Sequence, residues 1–160
     1  MSKPGHTIYL ADANVLLNLS ALGQLDLLRL CGVHLGWHIV VPRCILDEVE
    51  GEISGQDLVS RGVELSETDA EVILELTVAR AQNEISSRLS DADAELYIRA
   101  LRTNGTVWTD IHTFAPFIRL CEMGIVTAGE VLECGRRLIE INPRFTEKNF
   151  RALQEKVESL

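Results

Sequence analysis

Apolar positions recur along the chain with two different periods, and the first change of period falls at an acid. Ile8-Tyr9-Leu10-Ala11 is a short apolar run that stops at Asp12. In Ala13-Asn14-Val15-Leu16-Leu17-Asn18-Leu19 the apolar positions recur at helical spacing. The pattern predicts a buried strand passing almost directly into a helix, with Asp12 at the strand's carboxyl end. A turn at Ala21-Leu22-Gly23-Gln24 leads to a short helix, Leu25 to Leu30. Trp37 to Val41 has the length of a buried strand and is stopped by Pro42. From Arg43 a helix is expected that carries Ile45, Glu48 and Glu52 on one face, and it weakens at Gly51, Ser54 and Gly55.

The second half repeats the alternation. Gly62 to Leu65 reads as a short edge strand, and Ser66 with Asp69 as a capping box opening a helix to about Asn83. Ser90 with Asp93 opens another through Leu96, Ile98 and Leu101. After the turn Asn104-Gly105, Thr106 to Thr109 is a strand that ends at Asp110. Helical patterns follow at Phe114 to Cys121 and Gly129 to Ile141, around a short strand Gly124 to Thr127, and Thr146 caps a last amphipathic helix. Strands alternating with helices, the central ones apolar on both faces, predict an α/β domain with a parallel sheet of about five strands flanked by helices. No repeat or linker divides residues 1–160, so a single domain is expected.

Composition narrows this picture. The 160 residues, 46% of them hydrophobic, suffice for one core, and no apolar run approaches the ~20 residues of a membrane span. Met1 to His6 enters the first strand without a hydrophobic export signal, and the four cysteines are widely spaced with no CxxC pair. Both features suit a cytoplasmic protein with free thiols. The net charge of −9 gives no long-range attraction for nucleic acid, so a polyanion must meet a local basic patch or a metal ion.

Four acids occupy positions where elements begin or strands end: Asp12, Glu48, Asp93 and Asp110. Two strands ending in Asp12 and Asp110 can lie side by side, at the sheet edge where α/β proteins bind ligands. Such acids repel one another unless a cation is present, and Mg²⁺ or Mn²⁺ with oxygen ligands relieves that repulsion. Phosphodiester hydrolysis is the chemistry that follows. Each acid also has a plain structural reading. Asp12 can cap a helix, Asp93 can complete the capping box of Ser90, and Asp91, Asp47, Glu50 and Glu52 are neighbours with which the candidates can be confused. Arg43, Arg88, Arg99 and Arg102 can grip phosphate or form surface ion pairs. Trp37 and Trp108 read as core, His34 and His38 as structural, and His112 as a surface residue near Asp110.

These segments carry a resemblance. Asp12-Ala-Asn-Val-Leu-Leu-Asn-Leu19 resembles the opening signature of the PIN-domain family, and Val41-Pro-Arg-Cys-Ile-Leu-Asp-Glu48 resembles its second motif. Leu89-Ser-Asp-Ala-Asp93 and Val107-Trp-Thr-Asp110 resemble its third and fourth, in the family's order, over about residues 8–126. The resemblance implies a three-layer sandwich around the parallel sheet, and a Mg²⁺- or Mn²⁺-dependent ribonuclease acting on RNA. It further implies a possible place as the toxin of a toxin–antitoxin pair of the VapBC kind, with a cognate antitoxin and a homodimer. On this match Asp12, Glu48, Asp93 and Asp110 are the catalytic metal ligands, Asn14 steadies the Asp12 loop, and Thr109 orients the pocket. Many members carry a further acid two residues after the Thr, where this chain has Ile111, which leaves fewer ligands for a second metal. A PIN-like module acting through protein contacts is the alternative, favoured by Ile111 and the scarcity of Lys. An aspartyl phosphotransferase with Asp12 as nucleophile is a third reading, although the second Asp usual in such enzymes is here Asn14.

Overall fold

Local chemistry divides the chain. The computed structural model describes residues 7–160; the opening segment Met1 to His6, read above for its lack of an export signal, lies outside them. Strand β1 (Thr7–Ala11) ends where the Asp12 carboxylate accepts the Val15 N–H at 2.9 Å and so opens α1 (Ala13–Ala21). Helix α2 (Leu27–Leu35) stops at Gly36, whose φ of 70° is a left-handed conformation that suits glycine. Pro42 closes β2 (Trp37–Pro42) and stands as N-cap of α3 (Arg43–Val49). Ser54 caps α4 (Gly55–Ser60), a helix that the breaker-rich sequence Gly51 to Gly55 does not announce. There follow β3 (Glu64–Ser66), α5 (Ala70–Ala81), α6 (Asp91–Thr103) and β4 (Thr106–Trp108). A 3-10 turn at Asp110–His112 then leads to α7 (Ala115–Glu122), α8 (Ala128–Ile141) and α9 (Glu147–Glu158).

The expected three-layer sandwich around about five strands is not what forms. The chain is mostly helical, and its sheet is small and parallel, in the order β3-β2-β1-β4. Only β1 and β2 are longer than three residues. The fifth strand, Gly124 to Thr127, is absent because Thr127 is spent elsewhere. Its side chain accepts the Glu130 N–H at 3.1 Å and the Glu130 carboxylate accepts the Thr127 N–H at 3.4 Å, a capping box that starts α8. A second correction concerns α5. Ser66 belongs to β3, and Asp69 itself is the cap, accepting from the Val72 N–H at 2.8 Å.

Register places the site. Leu10 pairs with Val40 and Ala11 with Trp108, so β1 lies between β2 and β4 and the carboxyl ends of all three meet at one edge. Beneath that edge Leu16, Leu19, Leu27, Leu28, Ile45, Leu58, Leu120 and Leu138 are fully buried. Each such side chain contributes about 1.5–3 kcal/mol relative to exposure. Trp37 and Trp108 meet edge to face, 5.5 Å between centroids, which makes both core residues. A smaller cluster of Ala79, Ile85, Ala94 and Ile98 seats α5 on α6. Among the described residues no helix is long and apolar enough to cross a membrane.

Candidate functional site

Two of the four candidate acids are brought together by the strand pairing itself. Asp12 follows β1 and Asp110 follows β4, and the Asp12 N–H donates to the Trp108 carbonyl at 3.1 Å, extending the ladder one residue past the strands. Asp93 comes from the first turn of α6, where Ser90 accepts its N–H at 3.1 Å, so the capping role expected for this pair is real and coexists with the placement. The Asp12 carboxyl is held above its ordinary value of 3.8. Burial is the largest cause, opposed by the Val15 N–H, and the charges of Asp110 and Asp93 push it further up. The Asn14 N–H pulls it down. Two acids from distant segments, Asp110 and the exposed Asp93, therefore act on Asp12 at this edge.

Glu48 does not join them. It is exposed on α3, whose buried residues are Ile45, Leu46 and Val49, and it is not among the charges that raise Asp12. Its charge acts on the Cys44 thiol one turn back. The inward Glu expected from the second motif is thus corrected to a solvent-facing one. Asn14 steadies Asp12 through its backbone N–H, while its side chain is exposed. The Thr109 hydroxyl is buried beside Asp110 with no hydrogen-bond partner, an orphan of the kind that a bound group satisfies.

Sequence reasoning missed Arg144, whose Nη1 lies 3.3 Å from Asp110 Oδ2. No local signal marks it, since it sits between α8 and α9, 34 residues from its partner. Also missed was a polar relay that fixes the Asp110 turn. Asn142 Nδ2 donates to Asn18 Oδ1 at 3.1 Å, Asn18 Nδ2 donates to the Thr113 hydroxyl at 3.4 Å, and that hydroxyl donates to the Asp110 carbonyl at 2.7 Å. A polar residue at position 18 inside an otherwise apolar helix face is the signal that could have found it.

Three of the arginines considered as phosphate grips are committed elsewhere. Arg43 pairs with Glu67 at 3.3 Å, Arg102 with Glu71 at 2.9 Å, and Arg99 with the buried Glu95 at 3.0 Å. Asp91, the rival of Asp93, is exposed and pairs with Arg80 at 3.0 Å. His112 is exposed, and its carbonyl accepts the Trp108 indole N–H at 3.1 Å. All four cysteines are free thiols, Cys31 and Cys134 buried, Cys44 and Cys121 half-buried.

The donor chemistry fits a hard cation, with one restriction. Among the described residues no three His, Cys, Asp or Glu side chains are arranged to close on one ion. A half-buried carboxylate that feels the charges of Asp110 and Asp93, beside an unpartnered buried hydroxyl, suits an ion that keeps much of its water, as Mg²⁺ does, rather than a closed protein cage. Asp12, Asp93 and Asp110 are the residues that would hold such an ion, and they do not form a closed set of three ligands. No family model, curated protein or solved structure matches the chain.

Proposed function

We propose that this chain is a Mg²⁺- or Mn²⁺-dependent endoribonuclease, with Asp12, Asp93 and Asp110 as its ion-holding carboxylates. The observation that carries the reading is the half-buried Asp12 carboxyl at the carboxyl edge of β1 and β4, raised first by burial and then by the charges of Asp110 and Asp93. The order of the motifs that resemble the PIN family supports it. When bound, a hard divalent ion supplies a water of lowered pKa and a counter-charge for the phosphate. The chain does the rest. The Val15 and Asn14 N–H groups orient Asp12, the Asn18–Thr113 relay fixes the turn that carries Asp110, and the exposed Arg144 guanidinium can leave Asp110 for a phosphate oxygen. The same resemblance extends the proposal to the toxin of a toxin–antitoxin pair, cytoplasmic, homodimeric and silenced by a cognate antitoxin.

Purified protein should cut single-stranded RNA only with Mg²⁺ or Mn²⁺, and Asp12→Asn should abolish cleavage while the circular dichroism spectrum stays native. Equal cleavage by the Asp12→Asn protein would end the proposal. A specific observation favours a second reading, a non-catalytic module. Arg144 already neutralises Asp110, and Glu48 stands in solvent. Calorimetric titration separates the two: absence of heat with millimolar Mn²⁺ selects the module, and heat lost in Asp110→Asn selects the nuclease.

A further inference from the structure

Beside the acidic edge, the segment between α8 and α9 and the face of α9 from Asn149 to Lys156 stand over the Asp110 turn and line a half-open cavity of about 180 Å³. Its walls are mixed, with Phe114, Leu138, Phe145 and Leu153 beside Asn142 and Asn149, and its charged lining is Arg144 and Lys156 against the one carboxylate of Asp110. In a chain of net charge −9 with only three lysines, that balance is reversed locally. The volume lies below the ~300–1,000 Å³ of pockets that take drug-sized ligands, so it admits one flat ring system and not a folded ligand. Phe145 is half-buried and meets the buried Phe114 at a tilt of 47°, 5.3 Å between centroids, so two aromatic rings held by packing line the wall. A flat ring beside two cations and next to an acidic ion site is the chemistry of a nucleotide: base against the aromatic wall, phosphate toward the cations.

We propose that this cavity is a nucleobase subsite for the nucleotide next to the scissile phosphate, with Arg144 and Lys156 holding the strand's phosphate. The assignment rests on the nuclease reading, because it is Asp110 that joins the cavity to the acidic edge. It also gives Arg144 a purpose other than blocking Asp110. An entering phosphate would compete with the Asp110 carboxylate, 3.3 Å away, for the guanidinium. No covalent step is involved.

The full chain is titrated with 5′-AMP, 5′-UMP and ribose 5-phosphate in EDTA, where cleavage cannot interfere, and amide chemical shifts are followed by NMR. Both nucleotides should move resonances of Phe114, Phe145 and Lys156, and ribose 5-phosphate should bind about tenfold more weakly or worse, the loss of one base stack. Ala152→Trp, which fills the cavity from an exposed position on α9, should abolish the shifts. Should that variant unfold, Lys156→Gln and Arg144→Gln at exposed positions should each weaken nucleotide binding. Equal binding of ribose 5-phosphate, or nucleotide binding unchanged in the folded variants, overturns the subsite. A short single-stranded oligoribonucleotide must compete with 5′-AMP; failure to compete overturns its assignment to an RNA strand. The two readings fail separately. Metal-dependent cleavage without nucleotide binding removes the subsite alone, and nucleotide binding without cleavage removes the nuclease and the assignment to a scissile strand, leaving a nucleotide site.

Discussion

Replacing Asp12 by Asn and by Ala separates its two roles, helix cap and crowded charge. Asn keeps an acceptor for the Val15 N–H, now 2.9 Å from the carboxylate, and Ala does not. A lost cap costs about 1 kcal/mol. A chain of this size melts ~2–4 °C lower for each kcal/mol lost, so Asp12→Ala should melt that far below Asp12→Asn at every pH. The charge gives a different signature. Asp12 is raised above 3.8, chiefly by burial and then by Asp110 and Asp93, so the folded state binds its proton more tightly than the unfolded state does. Stability linked to this group therefore falls as pH rises from 3.8 through the raised value, and the full cost persists at pH 7. Asp12→Asn should accordingly melt at or above the wild type at pH 7 without metal, and the advantage should shrink as pH falls toward 4. A divalent ion at about ten times its dissociation constant adds about 1.4 kcal/mol, or ~3–6 °C, to the wild type and nothing to Asp12→Asn. Scanning calorimetry at both pH values, with and without Mn²⁺, reads all of this. A wild type that outmelts Asp12→Asn at pH 7 in EDTA, or an equal gain from Mn²⁺ in both proteins, refutes the reasoning.

Three further outcomes test the surroundings of the site. Gly135→Ala places a Cβ 2.9 Å from Leu153 Cδ2 and Phe150 Cδ1, so it should cost about 1–3 kcal/mol in urea unfolding by overpacking α8 on α9. An unchanged midpoint would show that the two helices separate freely. Arg99→Ala leaves the Glu95 carboxylate, 7% exposed, without its cation, which should cost about 3–5 kcal/mol by the same measurement. A cost below about 1 kcal/mol, the size of a surface pair, would mean that solvent reaches Glu95. The Cys31 and Cys44 thiols are pushed up to about 12, both foremost by burial and Cys44 next by Glu95. They should resist iodoacetamide at pH 8 in the folded protein and react in denaturant, as peptide mass mapping would show.

What the sequence disclosed about the site was what local rules govern. Asp12 and Asp110 each end an apolar run, and Asp93 stands three residues after a capping serine, so a short window sufficed for each. Glu48 failed for a geometric reason. In α3 the buried residues are Ile45, Leu46 and Val49, and at 3.6 residues per turn Glu48 lies about 100° from the middle of that arc. A buried side fixed by Ile45 and Val49 leaves Glu48 at its margin; the burial of Leu46 moves that side away and turns the acid out. The strand expected at Gly124 to Thr127 failed because β-branched residues look alike in a strand and at a cap, and only the Thr127–Glu130 pairing distinguishes them. Arg144 and the cavity beside it had no local signal whatever. Both exist because α8 and α9 close over the Asp110 turn, a contact between segments more than thirty residues apart along the chain. The acids can thus be read before the fold is known, whereas the cations that would select a substrate depend on how the last two helices pack. A variant that loosens that packing, such as Gly135→Ala, should therefore weaken nucleotide binding more than it disturbs the crowding of Asp12, Asp93 and Asp110.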